Sequence, residues 1–108
     1  MSDELDRVFS ALADPTRRQM VQALLRDGTT SIPVLTADLP ISRQAVAKHI
    51  ASLDSAGLIE RAPAQGRRVL YQLRPGAIAG AAQWLETASA QWDRRLAALK
   101  DSIESRRD

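Results

Sequence analysis

The stretch Ile32–Leu58, IPVLTADLPISRQAVAKHIASLDSAGL, reads as two helices joined by a tight stop, and that pairing limits what the rest of the chain can fold into. Val34, Leu35 and Leu39 give the first helix, Pro33 to Leu39, an inward side. Pro40 ends it, because proline lacks the N–H that continues the ladder. Ser42 then starts a second helix by offering its hydroxyl oxygen to a free first-turn N–H, and Gly57 stands where a left-handed terminating residue is wanted. Spaced at helical periodicity, Val46, Ile50 and Leu53 share one side of the second helix, while Gln44, Ala47, Lys48, Ala51 and Ser55 share the other.

The outward alanines keep this second helix low in profile, so its backbone can approach a groove while Arg43, Gln44 and Lys48 reach forward from its start. A helix that enters the DNA major groove is built in this way, and so is an ordinary amphipathic helix with a solvated face. The segment after the helix shifts the balance between them. LIERAPAQGRRVLYQL alternates like a hairpin, with Val69, Tyr71 and Leu73 on one face, Arg68, Leu70 and Gln72 on the other, and a turn at Ala64–Gly66. Arg67 and Arg68 beside that turn form a basic tip. Residues 42 to 74 hold six basic side chains against two acids, a net +4, which leaves the remainder of this +2 chain at −2. Positive charge concentrated on one segment is the footprint of a nucleic-acid surface.

Before this element, Leu5, Val8, Phe9 and Leu12 follow helical spacing and predict a helix ending near Ala13. Asp14 and Pro15 restart the chain as cap and first helical residue of a second scaffold helix, whose buried stripe is Met20, Val21, Leu24 and Leu25 and which ends before Gly28. Arg17 and Arg18 stand at its start, either near phosphate or as a solvated pair. After the hairpin, Ile78, Ala81, Trp84, Leu85, Ala88, Trp92, Leu96, Leu99 and Ile103 fall on one broad stripe, predicting a terminal helix over about 76–104. At about 1.5 Å per residue such a helix extends roughly 40 Å, more than one small domain can cover. A second copy of the chain is the simplest partner for it.

With 108 residues, 44% hydrophobic and 26% charged, the chain is expected to form a single domain, 1–108, with one modest core. There is no long apolar run and no signal-like amino terminus, so the expectation is a cytoplasmic protein without a membrane partner. Zero cysteines excludes disulfides and thiolate metal sites. His49 is the only histidine, placed toward the core side of its helix between Ala45 and Leu53, and packing or bonding to backbone or phosphate suits it better than catalysis. A lone histidine makes no nucleophilic or metal constellation, so no enzyme activity, cofactor or metal is expected.

Helices, helix-turn-helix, basic-tipped hairpin and long terminal helix, in that order, describe a winged helix-turn-helix protein: mainly α with a small β-hairpin. FSALADPTRRQMVQALL followed by ISRQAVAKHIASLDSAGLIERAPAQGRRVLYQL resembles the ArsR-type bacterial transcriptional regulators over nearly the whole chain. The most specific parts are Ala13-Asp14-Pro15-Thr16-Arg17, the helix from Ser42 to Leu53, Ala56-Gly57-Leu58-Ile59, and Gly66-Arg67-Arg68 ending in Tyr71 and Leu73. WDRRLAALK, Trp92 to Lys100, further resembles a branch of that family without known metal ligands.

The resemblance implies a homodimer that binds double-stranded DNA at a near-palindromic operator, usually as a repressor. It implies a recognition helix at about 42–56 whose Ser42, Arg43, Gln44, Lys48 and His49 face the major groove or its phosphates, and a wing at about 58–74 presenting Arg67 and Arg68. The expected dimer surface is Trp84, Leu85, Trp92, Leu96 and Leu99, joined by Val8 and Phe9. Metal-sensing members carry Cys-x-Cys on the helix before the turn, where this chain reads Val34-Leu35-Thr36-Ala37-Asp38, and others use acids with histidines on the terminal helix, which here has none. The inducer site is therefore read as lost or replaced, and the inducer as unknown. Two alternatives remain: a winged-helix module that binds protein through the same surface, and a metal- or ligand-responsive repressor with an unrecognised sensor site.

Overall fold

Caps written into the sequence set the helix boundaries of the computed structural model, which describes residues 2–64 and 66–106. Helix α1 spans Asp3–Leu12; the Ser2 hydroxyl accepts the Leu5 N–H at 3.2 Å, and Asp3, Glu4 and Asp6 place negative charge at the positive end of the helix dipole. Helix α2 spans Pro15–Asp27 behind the Asp14 cap, whose carboxylate accepts the Arg17 N–H at 3.0 Å. Met20, Val21, Ala23 and Leu24 are its buried residues. Leu25, expected in that stripe, is 64% exposed. Ala23 and Leu25 flank the stripe at similar angles on opposite sides, and tertiary packing rather than periodicity decides which flank is covered.

The next segment adds a strand to the expected hairpin. Thr29–Thr30 forms strand β1, which joins β2, Ile59–Arg61, and β3, Tyr71–Leu73, in an antiparallel sheet of order β1-β3-β2. Thr30 pairs with Tyr71 on one side of β3, and Arg61 pairs with Tyr71 on the other. The Ala62 N–H donates to the Leu70 carbonyl at 2.9 Å and carries the hairpin one step further. The turn expected at Ala64–Gly66 includes Gln65, which lies outside the described residues.

Helix α3 spans Ile32–Asp38, one residue earlier at each end than expected, because the Ser31 hydroxyl caps it by accepting the Val34 N–H at 3.3 Å. Leu39 before Pro40 is extended, as steric clash with the proline ring requires. Leu35 is fully buried, but Val34, expected inward, is 49% exposed. Two helical turns present one narrow inward line, and Leu35 occupies it. Helix α4 spans Arg43–Ser55 and buries Val46, Ile50 and Leu53 as its periodicity predicts. It closes in a Schellman motif: the Leu58 N–H donates to the Leu53 carbonyl at 3.0 Å, the Gly57 N–H to the Asp54 carbonyl at 2.9 Å, and Gly57 holds φ at +76°. Leu53, Leu58 and Ile59 at this junction are fully buried with Met20, Leu24, Leu35 and Val46.

The chain divides into two compact units, Met1–Ile78 and Ala79–Asp108. The second is helix α5, Ala79–Arg106. It starts later than the expected 76 because Gly76, at φ +75°, and the bond from the Ala77 N–H to the Arg74 carbonyl first complete a turn. Its 28 residues extend about 42 Å. Trp84, Leu85, Trp92, Leu96, Leu99 and Ile103 stand between 44% and 60% exposed along it.

Candidate nucleic-acid interface

The exposed side of α4 begins at its cap. Ser42 spends its hydroxyl oxygen on the Ala45 N–H at 3.1 Å, which fixes the first turn and the direction in which Arg43 and Gln44 leave the backbone. Arg43, Gln44, Ala47, Lys48 and Ala51 are all exposed, while Val46 and Ile50 behind them are buried. Two methyl groups therefore floor the face, and three long polar side chains rise at its amino-terminal half. His49 differs from them in being half-buried. At the start of α2 the Asp14 carboxyl is held below the ordinary carboxylate range, first by the Arg17 N–H that it accepts, against the opposing effect of burial, with smaller lowering contributions from the Thr16 N–H and the Arg17 charge.

The arginines of α2 differ from those around α4 and the hairpin. Arg17 donates from Nε to the Ala11 carbonyl at 2.7 Å and from its terminal nitrogen to the Ser10 carbonyl at 3.3 Å, while Arg18 donates to the Leu12 and Ala13 carbonyls at 2.8 and 3.0 Å. Both guanidinium groups cap the carbonyl end of α1. Together they fasten α1 to α2. Arg26 is paired with Asp27 at 3.0 Å. By contrast, the side chains of Arg43, Arg61, Arg67 and Arg68 make no hydrogen bond or ion pair among the described residues, and all four residues are exposed. They border one cleft of about 600 Å³ between the start of α4 and the hairpin.

Arg61 is the member of this group that sequence reasoning does not single out. It counts toward the basic segment, but only the pairing of β2 with β3 brings it beside Arg67 and Arg68. Chemically, the assembly offers planar guanidinium forks that match phosphate or the guanine edge, and a carboxamide whose donor and acceptor match the adenine edge. Among the described residues no group of three or more histidine, aspartate or glutamate side chains is placed to hold a metal ion.

Comparison with known proteins places this surface in context. The family described as a helix-turn-helix domain matches residues 12–62, from the end of α1 through β2. The HTH-type transcriptional regulator Rv2034 of Mycobacterium tuberculosis is 40% identical over 103 residues, covering 95% of this chain and 92% of that protein. An ArsR-like transcriptional regulator from Rhodococcus sp. RHA1 superposes with a TM-score of 0.79 at 42% identity, over 94% of this chain and 92% of that one. The cadmium metal-sensor CmtR from Mycobacterium tuberculosis shares the fold at a TM-score of 0.57 and 38% identity, over 74% of this chain and 81% of its own.

Proposed function

This chain belongs to the ArsR-like helix-turn-helix transcriptional regulators, and from that premise we propose that it works as a cytoplasmic, dimeric repressor of a near-palindromic operator. It is a DNA-binding regulator of transcription and not an enzyme. In the proposed complex α4 enters the major groove. Arg43 and Gln44 read base edges, Ser42 and Lys48 take phosphate or groove positions near them, and His49 supports the helix from its inner side. Arg67 and Arg68 hold the flanking backbone. The exposed stripe of α5 joins two copies through Trp84, Leu85, Trp92, Leu96 and Leu99, with Phe9 alongside. Val8 is already buried within a single chain and serves by positioning the helix that carries Phe9.

The observation that carries this reading is the contrast between the partnered arginines of α2 and the unpartnered ones around α4 and the hairpin. Guanidinium groups without an internal acceptor raise the local potential toward a polyanion. A repressor that discriminates sequence then needs base readout in addition, and exposed Gln44 on an alanine floor supplies it. No helix among the described residues is long and apolar enough to cross a membrane. With no cysteine and one histidine, a thiolate sensor of soft metals forms no part of the proposal.

The direct test is selection of bound duplexes from random sequence, followed by titration of the selected site at several salt concentrations. Enrichment of a two-fold symmetric site, with affinity falling steeply as salt rises, is the expected result. Recovery of no enriched sequence, or an affinity indifferent to salt, would favour a protein partner for this surface.

A further inference from the structure

The cleft between α4 and the hairpin is more than a charged surface, because its walls are of two kinds. Arg43, Arg61, Arg67 and Arg68 line it, with no carboxylate among the lining residues. Ile32, Val34, Val69 and Tyr71 line it as well, and the two valines are nearly half exposed. Asp54 and Glu60 border a neighbouring cleft that shares Arg61, but among the described residues neither forms an ion pair with it. Glu60 instead accepts a hydrogen bond from Gln72 at 3.1 Å. Four cations therefore converge without a counter-charge beside an uncovered aliphatic and aromatic wall. A DNA backbone satisfies the cations and makes no use of such a wall. The volume, about 600 Å³, lies within the usual range for a small-molecule site.

From this juxtaposition we infer that the cleft binds a small organic anion, a carboxylate or phosphate carried on an apolar body, and that its occupancy excludes DNA. The anionic group sits among the guanidinium forks, where charge-assisted bonds of fixed geometry are available. The apolar body covers Val34, Val69 and Tyr71. Exclusion comes from shared atoms: Arg43, Arg67 and Arg68 cannot serve the ligand and a duplex together. The exclusion rests on the proposed DNA contacts of α4 and the hairpin, whereas binding of the anion does not. The regulator would thereby be released from DNA by a metabolite competing at the DNA surface, with no metal and no distant sensor.

Calorimetric titration of the full chain with 1-naphthoate, 1-naphthamide and inorganic phosphate tests the site in the absence of DNA. Naphthoate is expected to bind once per chain, and the uncharged amide and the bodiless phosphate to bind at least roughly tenfold more weakly. Arg61→Ala removes a cation and Val34→Asp places a charge on the apolar wall; both positions are exposed, so folding is retained, and each variant should weaken naphthoate by at least about tenfold. Undetectable naphthoate binding, equal binding of the amide or of phosphate, or an affinity unchanged in both variants overturns the site. Naphthoate added to the protein on its selected duplex at constant ionic strength should then release the DNA. Binding that leaves the duplex in place overturns the exclusion. Failure to select any duplex would instead count against the DNA reading, and the naphthoate titration would stand or fall separately.

Discussion

Arg43, Gln44 and Arg67 share a surface but are assigned different work, and single substitutions separate base reading from charge. A carboxamide pairs with the adenine edge through two bonds worth roughly 1–3 kcal/mol of discrimination. Gln44→Ala is therefore expected to shift base preference at one position of the selected site, while affinity for random duplex changes little. Equal weakening of both would remove base readout from this residue. Arg67→Ala should weaken both duplexes alike and lower the logarithmic salt slope by about one. An unchanged slope would take the wing off the phosphates. A further residue-scale expectation concerns stability. The Thr30 hydroxyl is buried in β1 and has no hydrogen-bond partner among the described residues. An unsatisfied buried hydroxyl is unfavourable, and valine has nearly the same shape and suits a strand. Thr30→Val should raise the unfolding free energy by about 1 kcal/mol, read from the urea midpoint; a loss of stability would show that the hydroxyl contributes a bond.

At the scale of elements, α4 is held at both ends by local hydrogen bonds: the Ser42 hydroxyl at its start and the Schellman bonds around Gly57 at its close. A side chain at Gly57 meets nothing within 4 Å, so Gly57→Ala carries only the backbone cost of a positive φ, about 1 kcal/mol, measurable as a lower thermal midpoint. An unchanged midpoint would mean that the motif contributes nothing to stability. These same local signals make α3, α4 and their junction legible from residues alone, since a serine cap, a proline stop and a terminating glycine each act within a few positions. The third strand is not legible, because Thr29–Thr30 is too short for alternation and exists only through its pairing with β3. The exposure of Val34 and Leu25 likewise depends on what covers a helix, which periodicity does not contain. The capping of α1 by Arg17 and Arg18 joins residues five to seven positions apart across a helix break, a spacing without a sequence signature. Arg61 joins the candidate site only through strand register.

At the scale of the whole molecule, the proposed dimer turns on the apolar stripe of α5. Covering one large apolar side chain contributes roughly 1.5–3 kcal/mol, so the six exposed side chains from Trp84 to Ile103 would make an isolated chain prone to aggregate. The proposed two-fold pair would remove that liability, and it would also present two recognition helices to successive major grooves about 34–36 Å apart. On this proposal assembly and operator affinity are linked, so Leu96→Asp should weaken both although every residue of the proposed DNA surface remains. The most direct measurement is sedimentation velocity of wild type and Leu96→Asp at micromolar concentration, alone and with the selected duplex. The wild type should sediment as a dimer that loads two chains per site, and the variant as a monomer that binds the site far more weakly. A monomeric wild type that occupies the site tightly as one chain would contradict the link between assembly and DNA binding.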